Sequence, residues 1–142
     1  MIPTQFFPID DDARLFISPA IREWEPLAAL GIDTVFDMDA GLDDCIPTTP
    51  DGCVYIYFPI YDEGLPTLTR LHAIGNLGAE LIRTGHCVLS HCGMGFNRSA
   101  LVAGMILHKL GTPGGEVVQR IRSRRPGALF NETFAEYLSG LR

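Results

Sequence analysis

Apolar positions along the chain fall into two alternating rhythms. Short runs rich in β-branched and aromatic residues occur at "RLFIS" (Arg14 to Ser18), "DTVFDM" (Asp33 to Met38), "CVYIYFPI" (Cys53 to Ile60) and "CVLS" (Cys87 to Ser90). Each has the length and composition of a strand. Between and after them the apolar residues recur at helical spacing. Glu25 to Leu30 predicts a short helix, with Pro26 in its first turn and Gly31 as its stop. Leu68 to Arg83 predicts a longer one, with Thr67 as N-cap and Gly85 at the C-terminal end. Ser99 to Leu110 is apolar nearly all round, the mark of a central buried helix, closed by Gly111 and Pro113. Gly115 to Arg124 and Glu132 to Leu141 predict two more, the last capped by Asn131, for which contact with the phosphate loop is the alternative role. "AGLDDCIPTTPDG" is dense in turn residues and reads as loop. Strands alternating with helices predict an α/β fold, a single domain over residues 1–142. Its central sheet would be mostly parallel, of about four or five strands, flanked by helices. Ligands sit at the carboxyl ends of such strands, which here means the loops holding Cys92 and Asp62.

The stretch "VLSHCGMGFNRSALVAGMIL" (Val88 to Leu107) leaves one apolar run and enters another through a polar loop. Cys92 would follow a buried strand and precede a helix N-terminus by a few residues. Converging backbone N–H groups and the helix dipole stabilise a thiolate in such a place. Gly93 and Gly95 allow close approach of the backbone to an anion. Arg98, six residues after Cys92, would return on a loop wrapped around one phosphate, and its planar guanidinium can hold two oxygens. A thiolate beside a dianion binder implies attack on phosphorus and a phosphocysteine intermediate. Arg98 and the amides of Gly93, Met94, Gly95, Phe96 and Asn97 would bind the phosphoryl oxygens. The Ser99 hydroxyl would donate to the Cys92 sulfur as it departs. His91 would fix the loop through backbone hydrogen bonds and help hold the thiolate. Chance supplies about 0.3 Cys-x5-Arg pairs on this composition, but only roughly one in ten thousand once the flanking His, Gly and Ser are demanded.

Charge sharpens this picture. The net charge of −6 divides unevenly: residues 1–63 hold 13 acids and 2 bases, residues 64–142 hold 4 acids and 9 bases. The half with the Cys92 loop is the half suited to an anion. The overall acidity argues against a nucleic-acid partner. No apolar run approaches the roughly 20 residues that span a bilayer. The N-terminal "MIPTQFFPIDDDARLF" has no basic region and is not a signal peptide, so a cytoplasmic location and no membrane partner are expected. Cys45, Cys53 and Cys87 read as reduced thiols without metal-site spacing. Any of them could shield an oxidised Cys92 as a disulfide. Arg120, Arg122, Arg124 and Arg125 read as the solvated face of a helix, with substrate contact as the alternative.

"HCGMGFNRSA" resembles the H-C-x-x-G-x-x-R-[ST] signature of the cysteine-dependent protein tyrosine phosphatase superfamily, in particular its dual-specificity phosphatases. "LFIS…LAALGIDTVFDM" is similar to that family's first strands and intervening helix, and "RIRSRRPGALFNETFAEYL" to its C-terminal Arg-Pro and Asn-x-x-Phe elements. "FPIYDEGLP" resembles the loop carrying the general acid, which puts that role on Asp62 with Glu63 as neighbouring competitor. The resemblance implies hydrolysis of phosphotyrosine and of phosphoserine or phosphothreonine, with no metal and no cofactor. The partners expected are a phosphorylated protein or other phosphomonoester, with phosphate or another oxyanion in the site. The alternatives are an RNA 5′-triphosphatase, a phosphoinositide phosphatase, or a non-catalytic phosphate-binding module on the same fold. "GFNR" also resembles the loop of the triphosphatases, which do without the aspartic acid. Lysines inside the loop, which would support a phosphoinositide, are absent.

Overall fold

Five strands form one sheet: β1 (Phe7–Pro8), β2 (Leu15–Ser18), β3 (Thr34–Asp37), β4 (Val54–Tyr57) and β5 (Val88–His91). Their order is β1-β2-β5-β3-β4, parallel throughout except for β1, which pairs antiparallel with β2. The computed structural model describes residues 4–142; the N-terminal segment read above as lacking a signal begins on residues 1–3, outside those described. Sequence patterning misses β1, which has only two residues, one of them Pro8. A proline offers no N–H to a ladder and is confined to a sheet edge, where β1 lies. β2, β3 and β5 are buried at every position, as parallel strands covered on both faces are.

Alternation along the strands sends Leu15, Ile17, Phe36 and Val88 to one face, and Phe16, Val35 and Leu89 to the other. The first face packs beneath α2 (Leu68–Arg83), α3 (Arg98–Lys109), α4 (Gly114–Arg124) and α5 (Glu132–Ser139). The second is covered by α1 (Glu25–Ala29) through Leu27, with Ile21 and Ile32 beside it. Each fully buried Leu, Ile or Phe contributes about 1.5–3 kcal/mol. That burial makes α3 the central helix: every residue from Ser99 to Leu107 is inside. α2 approaches α3 closely at Gly75, where a Cβ would stand 2.9 Å from that of Met105. None of the helices, among the described residues, is long and apolar enough to cross a membrane.

β5 lies between β2 and β3, with Ser18 and Asp37 both in register with His91. Chain connections leave β5 in the middle of strands laid down before it, so its carboxyl end opens at the point where strand order reverses. Crevices that take ligands form there.

Candidate active site

The loop from Cys92 to Arg98 begins where β5 ends. Its carbonyls are turned outward and held there. Gly93 O accepts from Ala20 N at 3.3 Å, and Phe96 O accepts from Leu129 N at 2.9 Å. Met94 O and Gly95 O accept from the Arg125 guanidinium at 3.3 and 3.1 Å. Carbonyls pointing out put the intervening amides inward. Gly95 N donates to Cys92 Sγ at 3.3 Å, while the N–H groups of Gly93, Met94, Phe96 and Asn97 have no acceptor among the described residues. Gly95 makes the turn at φ +74°, and a Cβ there would stand 2.7 Å from Pro19 N and 2.8 Å from Ser18 C. Only glycine fits that position without moving backbone.

Asn97 is the N-cap of α3 yet makes no cap bond with its side chain. The first-turn amides of this buried 12-residue helix therefore stay available to an anion. Cys92 is 2% exposed, and its Sγ lies 3.3 Å from Ser99 Oγ. Ser90 Oγ donates to Ser99 O at 2.8 Å, which locks the start of α3 to β5. Arg98 extends beside the loop with Nη1 donating to Asp39 Oδ1 at 3.2 Å. Asp62, on the loop after β4, is brought to the same place: its Oδ2 accepts from Asn97 Nδ2 at 2.9 Å. Glu63 is also exposed, and its carbonyl accepts from Asn131 Nδ2 at 3.1 Å.

His91 differs from expectation. It is fully buried, but its ring does not bind loop backbone. Nε2 lies 2.6 Å from Asp43 Oδ2 and 3.6 Å from Asp37 Oδ1, and Nδ1 has no partner among the described residues. The loop after β3 thus reaches the segment before the cysteine through a carboxylate. Tyr55 completes the group by donating its hydroxyl to Asp37 Oδ2 and accepting from Asp43 N at 3.0 Å. Burial pushes the Asp37 carboxyl above the usual carboxylate range, against the opposing pull of the Tyr55 hydrogen bond. Asp37, Asp43 and His91 bring three potential metal-ligating atoms within 4.8 Å of one another. Those atoms already bond to each other or to Tyr55, so the group reads as a polar brace.

No family model matches the sequence, and no curated relative does. Solved structures do. A mouse protein described as a putative dual specificity phosphatase, complexed with zinc tungstate, superimposes with a TM-score of 0.80 at 26% identity, over 96% of this chain and 86% of that one. Tk-PTP in its active form gives 0.72 at 26% identity, over 94% and 95% of the two chains. Human DUSP28 gives 0.78 at 23% identity, over 96% and 92%. The chain has the dual-specificity phosphatase fold.

At the site of this phosphatase fold, the roles of three residues escape sequence reading. Asp39 holds Arg98 from 59 positions away, and Asp43 holds His91 from 48. Nothing local distinguishes either from the other acids of a polar loop. Arg125 is the third, and it is not part of a solvated basic cluster. Its guanidinium is stacked between Phe7 and Phe96, 4.4 and 4.0 Å from their ring centroids, and grips the Met94 and Gly95 carbonyls. The Arg-Pro pair is the available signal, because Arg125 leaves the helical conformation at the α4 C-cap and turns back. Arg122 donates to Ala128 O and Leu129 O, and Arg124 pairs with Asp11. Asn131 caps α5 as expected, accepting from Phe134 N at 3.2 Å, and also donates to Asp62.

Of the three thiols that could shield an oxidised Cys92, two lie out of reach. Cys87 stands just before β5 and Cys92 just after it, about 16 Å apart along an extended strand. A disulfide needs Cα atoms within about 7 Å. Cys53, just before β4, is at the same far end of the sheet, since Val54 pairs with Thr34 and Thr34 with Val88.

Proposed function

We propose that this chain hydrolyses phosphate monoesters on proteins, phosphotyrosine and phosphoserine or phosphothreonine, through a phosphocysteine intermediate. One observation carries the reading: a buried sulfur at the floor of a loop whose four consecutive carbonyls are pinned outward and whose amides face in. Such a cradle is preorganised for a tetrahedral oxyanion before substrate arrives.

Chemistry follows from the placement. The Cys92 thiolate attacks phosphorus in line with the ester oxygen; the S–P bond forms as the P–O bond breaks. Asp62 delivers its proton to the departing oxygen. Arg98 and the loop amides hold the three equatorial oxygens through the transition state. Asp62, now a carboxylate, takes a proton from water as that water attacks phosphorus. The S–P bond breaks, and the Ser99 hydroxyl donates to the leaving sulfur. Exposed side chains beside the loop include Tyr61, Met94 and Phe130, with the acids Asp62 and Glu63, and Asp39 is half-buried next to Arg98. That rim suits a protein segment better than a polyanionic inositide or RNA.

Metal-free protein is expected to hydrolyse p-nitrophenyl phosphate and phosphopeptides, with tungstate or vanadate competing. Phosphopeptides left intact while 5′-triphosphate RNA is cleaved would replace this substrate class with another.

Thiol reactivity gives a second check. Burial pushes the Cys87 thiol up to about 11, with Asp33 adding to the shift, and burial also raises Cys53. Both therefore stay protonated at pH 7, where the thiolate is the reactive form. Iodoacetamide at pH 7 is expected to label Cys92 ahead of Cys53 and Cys87, and tungstate to protect it. Peptide mass spectrometry reads the order. Labelling of Cys87 first would show that the Cys92 sulfur is not activated.

A further inference from the structure

Asp62 belongs to an exposed loop, yet both of its carboxyl oxygens are held. Oδ2 accepts from Asn97 Nδ2 at 2.9 Å and Oδ1 from Asn131 Nδ2 at 2.8 Å. The two asparagines are joined in turn, because Asn131 N donates to Asn97 Oδ1 at 3.0 Å. Asn97 is 2% exposed and anchored in the phosphate-type loop. Asn131 is anchored by α5, where its own oxygen accepts from Phe134 N. Both polar atoms of the Asn131 side chain are thus engaged. The oxygen caps the helix, and the amide nitrogen reaches the Asp62 carboxyl and the Glu63 carbonyl.

We infer that Asn131 is a positioning residue for leaving-group protonation, and that it decides how poor a leaving group this site can expel. The inference rests on the phosphatase reading above. An exposed aspartate samples its rotamers on the ps–ns scale. Proton transfer needs the carboxyl within about 2.6–3.2 Å of the departing oxygen. One amide bond would leave the carboxyl free to swing about that contact. Two bonds, to different oxygens from donors on different elements, fix both side-chain torsions. Each carboxyl oxygen has two lone-pair positions, so an amide on one leaves the other to carry the proton. The same clamp orders Asp62 ahead of Glu63, of which only the backbone is engaged among the described residues. Leaving groups of low pKa depart without a proton and are indifferent to this arrangement; alkoxides and simple phenoxides are not.

Asn131→Asp tests this. Aspartate retains the cap on Phe134 N, since it is as good an N-cap as asparagine, but replaces the donating amide with an oxygen that repels Asp62. Asn131→Ser, which also caps, removes the amide without adding charge. The readout is kcat/KM on phenyl phosphate against 2,4-dinitrophenyl phosphate, with the melting temperature and its rise in tungstate as controls on fold and loop. Both variants are expected to lose about 10²-fold on phenyl phosphate. On the dinitrophenyl ester they should change by less than about 3-fold, so the dependence of rate on leaving-group pKa steepens. Equal losses on both esters would mean that Asn131 only supports the loop, and no loss on either would mean that it has no part in protonation. Either result overturns the inference while wild-type turnover leaves the phosphatase reading intact. A wild-type protein that binds tungstate but turns over neither ester would remove both.

Discussion

Cys92→Ser is expected to lower kcat for p-nitrophenyl phosphate by at least about 10⁴-fold, to the limit of detection. The reason is specific to this site. A serine hydroxyl needs a base to become a nucleophile, and none of the described residues places one beside residue 92. The His91 ring, immediately before it, is turned away and held by Asp43. Asp62 is tied to Asn97 and Asn131, where the leaving group and later the water would stand. The amide cradle does not depend on the sulfur, because its carbonyls are fastened from outside by Ala20, Arg125 and Leu129. The variant should therefore still bind tungstate. Ligand at a hundred times its Kd contributes about 2.7 kcal/mol of stability, a clear rise in melting temperature. Residual turnover within tenfold of wild type would show that the sulfur is not the nucleophile. A variant that no longer responds to tungstate would show that the cradle does not bind oxyanions as described.

Arg98→Lys should cost about 10³-fold in kcat/KM even though the charge is retained. Asp39 takes Nη1 of the guanidinium at 3.2 Å and leaves the rest of the planar group to face the loop. The ammonium of lysine is a point charge that cannot divide itself between Asp39 and two phosphoryl oxygens. Drawn to the carboxylate, it would leave the developing negative charge without a partner. Asp39→Asn is the companion measurement, with a loss nearer tenfold, because the guanidinium stays and only its orientation loosens. Steady-state kinetics on one aryl phosphate read both. An Arg98→Lys enzyme within tenfold of wild type would mean that charge alone, without the fork, does the work.

The residues behind these two predictions are not equally legible in the chain. Periodicity places α2 at Leu68–Arg83 and comes within one to two residues at the ends of α1, α3, α4 and α5, because the rhythm of buried positions is repeated in every turn. The strands β2, β3, β4 and β5 are visible for the same reason. The nucleophile loop is legible because Cys92, Gly93, Gly95, Arg98 and Ser99 form one short segment, and their chemistry is set by spacing along the backbone. β1 is not, being too short to have a rhythm and built around Pro8. Arg125 is hidden because its neighbours Arg120, Arg122 and Arg124 lie within the helix, while it alone steps out of it.

By itself, then, the sequence determined the alternation of strands and helices, the burial of α3, and the loop that joins β5 to it, all properties of neighbours in the chain. Tertiary structure alone decided what holds that loop and its acid in place. Asp39 reaches Arg98, Arg125 reaches the loop carbonyls, and Asn131 reaches Asp62 across separations of 59, 30 or 31, and 69 residues. Such contacts exist only after the helices have packed on the sheet, and no local pattern encodes them, because each partner is an ordinary polar residue until burial and direction give it a single neighbour.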